Sequence, residues 1–442
     1  MSLLDSSPTV DYADYALRPL VFDAAVAHLD RWVEYCEDGT VICRHPELAR
    51  RGRGAELRIP NSRQFPAIRA TFDDLNKALS RLSNSPLIDG VSTLRQRYEV
   101  EAARYDDLCA ETFAAGEWEP GYGTYVLDHV KGDLYLVAPE IWHRLALVTS
   151  NSMLLTDPEA QLSWREVRQR LEGAVVGFAG VSVGGNVLEG WAREARPKRM
   201  KVADPDWVET TNLNRGERMS LRHVAASRAE RFDPRNPYET PRVSKAEYVA
   251  YEAQMVDPYA SVYVYKEGLT RANIERFILG DGDGEPALDV LVEEMDDLDL
   301  KVLVREVCRE HKVDVLMLSD FGHRVHALWN FFRDGGDARI GYDVSDAVLS
   351  DRLSGVRSGD RAKVFEFIAG MCGEDFAGDQ FRAWMEGRGE QPTSSLPQSG
   401  ATAMASGAIG GKELALHVLG YNALRPSRTV VYDLLRRSAT ER

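Results

Sequence analysis

Ala174-Val175-Val176-Gly177-Phe178-Ala179-Gly180-Val181-Ser182-Val183-Gly184-Gly185-Asn186 is the stretch that decides the fold. Its first six residues form a continuous apolar run, the pattern of a strand covered on both faces. Residues 180–186 read as a glycine-bearing turn. Beyond it Val187, Leu188, Trp191, Ala192 and Ala195 share one helical face. A strand, a glycine turn and a helix in that order bring backbone N–H groups at a helix N-terminus towards the phosphates of a nucleotide. Ser182 occupies the middle position of Gly-x-Gly-x-x-Gly, and a tight turn for close helix packing is the competing reading.

The alternation continues on both sides. Strands are expected over 200–203, 260–265, 288–292, 313–318 and 429–433, and helices over 244–255, 300–311 and 405–419. Such a series gives an α/β fold, a doubly wound, mostly parallel Rossmann-like sheet with helices on both faces. A helical, charged insertion is expected around 342–391, with a loop at 391–399. Residues 1–150 differ in character. Helical spacing runs over 22–33 and 94–113, a hairpin turns at Lys131-Gly132, and a helix starts at Pro139. This is a separate α+β domain, so the chain divides into 1–150 and 151–442.

Composition narrows the setting. Hydrophobic residues make up 44% and charged residues 28%, as in a globular chain. No apolar run approaches the length of a membrane-spanning helix, and the first residues do not read as a secretory signal. The 54 basic and 69 acidic side chains leave a net charge of -15, which disfavours a phosphate backbone as partner. The arginines 44, 50, 51, 53 and 58 then read as a solvated loop rather than a nucleic-acid patch. Five scattered cysteines, without Cys-x-x-Cys, point to a reducing, cytoplasmic setting without a disulfide framework or zinc ribbon.

Asp204 lies nineteen residues past Gly185, at the end of the second strand, where a carboxylate accepts hydrogen bonds from ribose hydroxyls. From there the chain runs Asp204-Pro205-Asp206-Trp207-Val208-Glu209-Thr210-Thr211-Asn212-Leu213-Asn214-Arg215. A nicotinamide site has no need of that guanidinium. A triphosphate site does, because arginine offers phosphate a planar fork.

These residues resemble the ThiF/MoeB/HesA superfamily, the bacterial relatives of ubiquitin-activating enzymes. The Asn-Leu-Asn-Arg spacing is the most specific part. The resemblance continues through Lys245 and Asp257-Pro258, the segment 268–274, the strand that ends in Asp296-Asp297, and Pro397-Gln398 with the last helix, covering about 150–435. It implies that Gly180, Ser182 and Gly185 shape the nucleotide loop, and that Asp204 and Asp206 lie at the ribose end. It implies that Asn212, Arg215 and Lys245 face the phosphates and that Asp296 holds Mg2+, with Arg215, Lys245 and Asp296 carrying catalysis. The implied activity is ATP-dependent adenylation of a carboxylate, with release of pyrophosphate. The carboxylate belongs to a ubiquitin-like or sulfur-carrier protein, a peptide or a small acid, and the enzyme is a homodimer. An NAD(P)-dependent oxidoreductase on the same sheet and a non-catalytic scaffold of the ThiF type are the alternatives.

The family's upstream arginine has no counterpart at 149–156. Arg144 is the nearest basic residue before it, and Arg165 and Arg168 come after it. Cys308 falls on an apolar helical face and reads as core, whereas Cys372 reads as an exposed position. His323 and His326 read as loop or pocket histidines near the mouth of the site.

Overall fold

The computed structural model describes residues 11–60, 64–66, 68–82, 91–116, 121–149, 162–216, 219–224, 243–282, 284–333, 339–342, 344–357, 361–373, 399–421 and 429–441. The expected boundary near 150, the prolines 234, 237 and 241, and the stretch 374–398 lie outside them. The chain forms two compact units. The first joins 1–14, 173–250 and 261–442, and the second joins 15–172 with 251–260.

An eight-stranded sheet organises the first unit. Its strands are β1 (Val176–Ala179), β2 (Arg199–Ala203), β3 (Ser261–Tyr265), β4 (Val290–Glu293), β5 (Asp314–Phe321), β6 (Arg324–Asn330), β7 (Thr429–Asp433) and β8 (Ser438–Glu441). They lie in the order β3-β2-β1-β4-β5-β6-β7-β8. The pairings from β3 to β5 are parallel, and those from β5 to β8 antiparallel. β1 and β4 are adjacent, yet the chain leaves β1 towards β2 and leaves β4 towards β5. The strand order therefore reverses between β1 and β4, the position at which ligands of such sheets settle. Every residue of β1 and β4 is buried, which explains the unbroken apolar reading of β1.

The helices of this unit are α1 (Gly184–Ala195), α2 (Lys245–Val256, whose last turns belong to the second unit), α3 (Ile274–Leu279), α4 (Leu298–Glu310), α5 (Asp346–Arg357), α6 (Arg361–Cys372) and α7 (Gly400–Leu419). α3 and α4 share one core with Ala179, Ala203, Tyr265, Leu291 and Val315. α5 and α6 are the described part of the expected insertion, and they pack with Met317 and Leu328.

α1 and α7 meet through glycines. A Cβ at Gly190 would come within 2.5 Å of the Gly407 carbonyl oxygen, and one at Gly407 within 2.6 Å of the Asn186 Cβ and main-chain oxygen. Gly407→Ala is therefore expected to cost about 1–3 kcal/mol by overpacking. Urea unfolding would show this as a lower midpoint, and an unchanged midpoint would mean that the helices can separate freely.

β6 differs from the reading of 321–326 as a loop. Phe321 pairs with Arg324, so Gly322 and His323 form only a two-residue turn. Gly322, at φ 62°, supplies the left-handed geometry such turns need. His323 is consequently exposed in the turn, while His326 is buried within a strand, so the two are not a loop pair.

In the second unit one sheet has the order Leu20–Asp23, Thr124–Asp128, Asp133–Val137, Gln64–Pro66. Another joins Val33–Tyr35, Val41–Cys43 and Leu57–Ile59. The hairpin turns where the sequence places it, with Asp128 opposite Asp133. Helices Ile68–Leu82, Val91–Ala115 and Glu140–Thr149 enclose a core around Phe72, Tyr125 and Trp142. The helix expected over 22–33 is only Ala24–Leu29. Asp23 ends a strand and accepts from Ala25 N (2.7 Å) and Val26 N (3.2 Å), so the helix cannot begin earlier. The arginine run is occupied locally. Arg44 pairs with Glu34 and Glu56, Arg50 with Glu47, and Arg58 with Glu56, while Arg51 donates to the Tyr15 carbonyl. Among the described residues no helix is long and apolar enough to cross a membrane.

Candidate functional site

The glycine turn follows β1, at the reversal in strand order between β1 and β4. Gly180 has φ 86°, and its N–H donates to the Ala203 carbonyl at 2.8 Å. A Cβ there would lie 2.5 Å from the Glu294 carbonyl oxygen and 3.0 Å from Met295 N. Glycine is thus required both for the dihedral and for the approach of the chain leaving β4. α1 then starts at Gly184 with no side-chain cap; the Asn186 N–H already donates to the Val183 carbonyl at 2.9 Å, and the Gly184 and Gly185 N–H groups retain their capacity for an anion. Gly185 rests on α2, where a Cβ would stand 3.2 Å from Val249 Cγ2.

Asp204 clasps this turn. Its Oδ2 accepts from Val181 N at 2.8 Å and its Oδ1 from Asp206 N at 2.9 Å. Burial raises its carboxyl above the usual range, opposed by the Lys245 charge and those two N–H groups. Each oxygen keeps acceptor capacity for a further donor. Asp206 bonds Lys245 twice: its side chain accepts from Nζ at 2.8 Å and its carbonyl from the Lys245 N–H at 3.0 Å. Lys245 is thereby fixed as the first residue of α2.

The loop that carries Arg215 is closed by Asn212, whose Oδ1 accepts from Glu209 N at 2.8 Å in a capping box. Asn212 is buried and holds the loop, and Arg215 is the side chain that reaches outward. Arg215 Nε donates to Ser182 Oγ at 3.2 Å, and Nη1 donates to the Thr211 carbonyl at 2.8 Å and to Asn214 Oδ1 at 3.3 Å. Asn186 Nδ2 donates to the Arg215 carbonyl at 2.7 Å and to the Ala403 carbonyl at 3.1 Å, tying turn, loop and α7 together.

Gly180, Ser182, Gly185, Asp204, Asp206, Asn212, Arg215 and Lys245 therefore gather around one turn. Asp296 lies outside this bonded set. It is exposed, one residue beyond the Glu294–Met295 backbone that abuts Gly180. Next to it Asp297 caps α4, accepting from Asp299 N and Leu300 N at 3.0 Å each.

Sequence reasoning missed Asn186 and Glu294. Glu294 Oε1 accepts from Leu318 N at 2.5 Å, and a Cβ on Gly184 would stand 3.3 Å from its Cγ. Burial pushes its carboxyl well above the ordinary glutamate range, opposed by the Lys301 charge and the Leu318 N–H. The signal was present as two adjacent acids closing an apolar strand. The first of them, Glu293, is fully buried. Burial would raise its carboxyl too, but the charges of Lys301 and Arg305 outweigh that and hold it low.

Of the remaining candidates Arg165 is exposed and Arg168 half-buried, while Cys308, Cys372 and Arg144 are buried. Cys308 is core, and burial raises its thiol far beyond a nucleophile's range. Cys372 is also buried, correcting its expected exposure, and burial pushes its thiol up to about 11. Arg144 is buried beside Asp257 at 3.1 Å, and Arg168 pairs with Glu172.

No protein-family model matches the chain. An uncharacterised protein of Mycobacterium tuberculosis (strain CDC 1551 / Oshkosh), MT1398, is 29% identical over 163 residues, or 37% of this chain. The match spans 19% of that relative's length. Among solved structures, E. coli MccB with ATP has a TM-score of 0.42 at 12% identity, covering 62% of this chain and 65% of MccB. PaaA has a TM-score of 0.40 at 14% identity, covering 62% of this chain and 74% of PaaA. Function is therefore read from this chain's own residues.

Proposed function

We propose that the first unit binds ATP at the glycine turn and adenylates a carboxylate, as a doubly wound adenylyltransferase of the ThiF type. One observation carries the reading: Arg215 donates to Ser182 of an uncapped glycine turn at a reversal in strand order, and Lys245 donates to Asp206, two residues past the Asp204 that clasps the same turn. Phosphate oxygens would meet the N–H groups of the turn and both cations, while Asp204 receives ribose hydroxyls. A carboxylate oxygen then attacks the α-phosphorus, forming the acyl–phosphate bond as the bond to the β-phosphate oxygen breaks and pyrophosphate leaves. The nucleophile is already ionised at neutral pH, so no strong base is required. The protein's task is to bring anions together and to neutralise developing charge.

Among the described residues no group of three His, Cys, Asp or Glu side chains gathers as a metal site. Mg2+ would be bound through one carboxylate, Asp296, with phosphate and water completing its shell. When bound, the ion would draw negative charge off the phosphates. The substrate is a peptide or protein C-terminus or a small acid. The same reading carries a cytoplasmic homodimer. Cys308 and Cys372 are too deeply buried for a thioester.

ATP with Mg2+ is expected to raise the melting temperature where NAD does not, and labelled pyrophosphate to exchange into ATP once a cognate carboxylate is present. Asp296→Ala should reduce that exchange at least about tenfold, the worth of one contact between charged groups. Stabilisation by NAD alone would overturn the reading, and exchange unaffected in Asp296→Ala would remove Asp296 from the metal site.

A further inference from the structure

We propose that Ser182 is a positioning residue, which aims the Arg215 guanidinium at the nucleotide phosphates; this rests on the proposed binding of ATP. Glycine is the residue the nucleotide turn is expected to carry at 182, because it lets the backbone close on phosphate. Here the close approaches belong to Gly180, Gly184 and Gly185 instead. The side chain that Ser182 adds is in use, since its Oγ accepts from Arg215 Nε at 3.2 Å.

That bond changes what the arginine can do. Nη1 is committed to the Thr211 carbonyl and Asn214 Oδ1, at 2.8 and 3.3 Å. With Nε committed to Ser182, the guanidinium plane is fixed from two separate segments, the turn and the loop 210–214. Nη2, which bonds to no described residue, becomes the donor left for a ligand. The main chain of the same residue is anchored as well, through Asn186 Nδ2 to its carbonyl at 2.7 Å. A long side chain that is already ordered gives up less rotamer freedom when it meets its ligand.

The serine replaces backbone proximity with an oriented cation.

The test is calorimetric titration of the full chain with ATP and Mg2+. The proteins are wild type, Ser182→Ala, Ser182→Gly, Ser182→Thr, Arg215→Ala and the Ser182→Ala/Arg215→Ala double variant. Loss of one hydrogen bond should raise Kd about three- to tenfold in Ser182→Ala and in Ser182→Gly. Threonine, which keeps the hydroxyl, should restore binding. In the double variant Kd should be no higher than in Arg215→Ala alone, because Ser182 acts largely through that residue. A glycine variant that binds as well as wild type, or effects of the two single changes that simply add, would overturn the proposal. Failure of the wild-type protein to bind ATP would instead bring down the nucleotide reading itself.

Discussion

Lys245→Ala is expected to weaken ATP binding by about tenfold to a hundredfold and to leave the unfolding midpoint nearly unchanged. The side chain is only 8% exposed, whereas its partner Asp206 is 66% exposed. Removing the lysine therefore leaves a carboxylate that water can solvate, which is a small structural loss. The pair holds Lys245 at the head of α2, beside the segment that Asp204 clasps to the glycine turn. A phosphate entering there would gain a charge-assisted hydrogen bond worth about 1.5–3 kcal/mol, which sets the expected size of the effect. Calorimetric Kd values beside urea midpoints check both halves. A variant that binds ATP like wild type would take Lys245 out of the site.

Arg305→Met should lower the stability of the first unit by about 3–5 kcal/mol, the cost of removing one partner from a buried ion pair. Both Glu293 and Arg305 are 0% exposed. Glu293 also receives Lys301 Nζ at 2.9 and 2.8 Å, and Arg305 reaches Asn330 Oδ1 at 3.3 Å. The cluster locks the end of β4 to the first turns of α4, and so fixes the connection that carries Glu294 and Asp296. It also has a pH signature. A carboxyl held below its unfolded value, near 4.3, contributes stability above that pH and loses it as the pH falls through the folded value. The gap between wild type and Arg305→Met in urea unfolding should therefore be wide at pH 7 and narrow as the pH falls through the depressed folded value of Glu293. A gap independent of pH would mean that Glu293 is not the group the arginine stabilises.

Much of the first unit was legible because burial on both faces leaves an unbroken apolar word. β1 was read in this way, and β7 was placed at its observed bounds, 429–433. β6 was hidden, since Gly322 and His323 look like a loop when nothing shows that two residues suffice to reverse the chain. The short helix after Asp23 was overextended for a related reason: apolar spacing cannot show where a side-chain cap stops it. At the site, residue types with fixed chemistry were readable, among them Gly180, Asp204, Arg215 and Lys245. Roles that depend on long-range partners were not. Asn186 bonds Ala403, 217 residues away, and Glu294 meets the Leu318 amide on the neighbouring strand. Cys372 looked exposed in a Gly-rich stretch, and only the packing of α6 shows it to be buried.

The central claim is that phosphates lie on the glycine turn. Hydrogen–deuterium exchange with and without ATP and Mg2+ tests it most directly, monitored on the peptide that spans Gly180 to Val187. Slower exchange of the Ser182, Val183, Gly184 and Gly185 amides is expected on ATP addition, with loss of that protection in Lys245→Ala. Protection by ATP elsewhere in the chain, with these four amides unchanged, would contradict the claim.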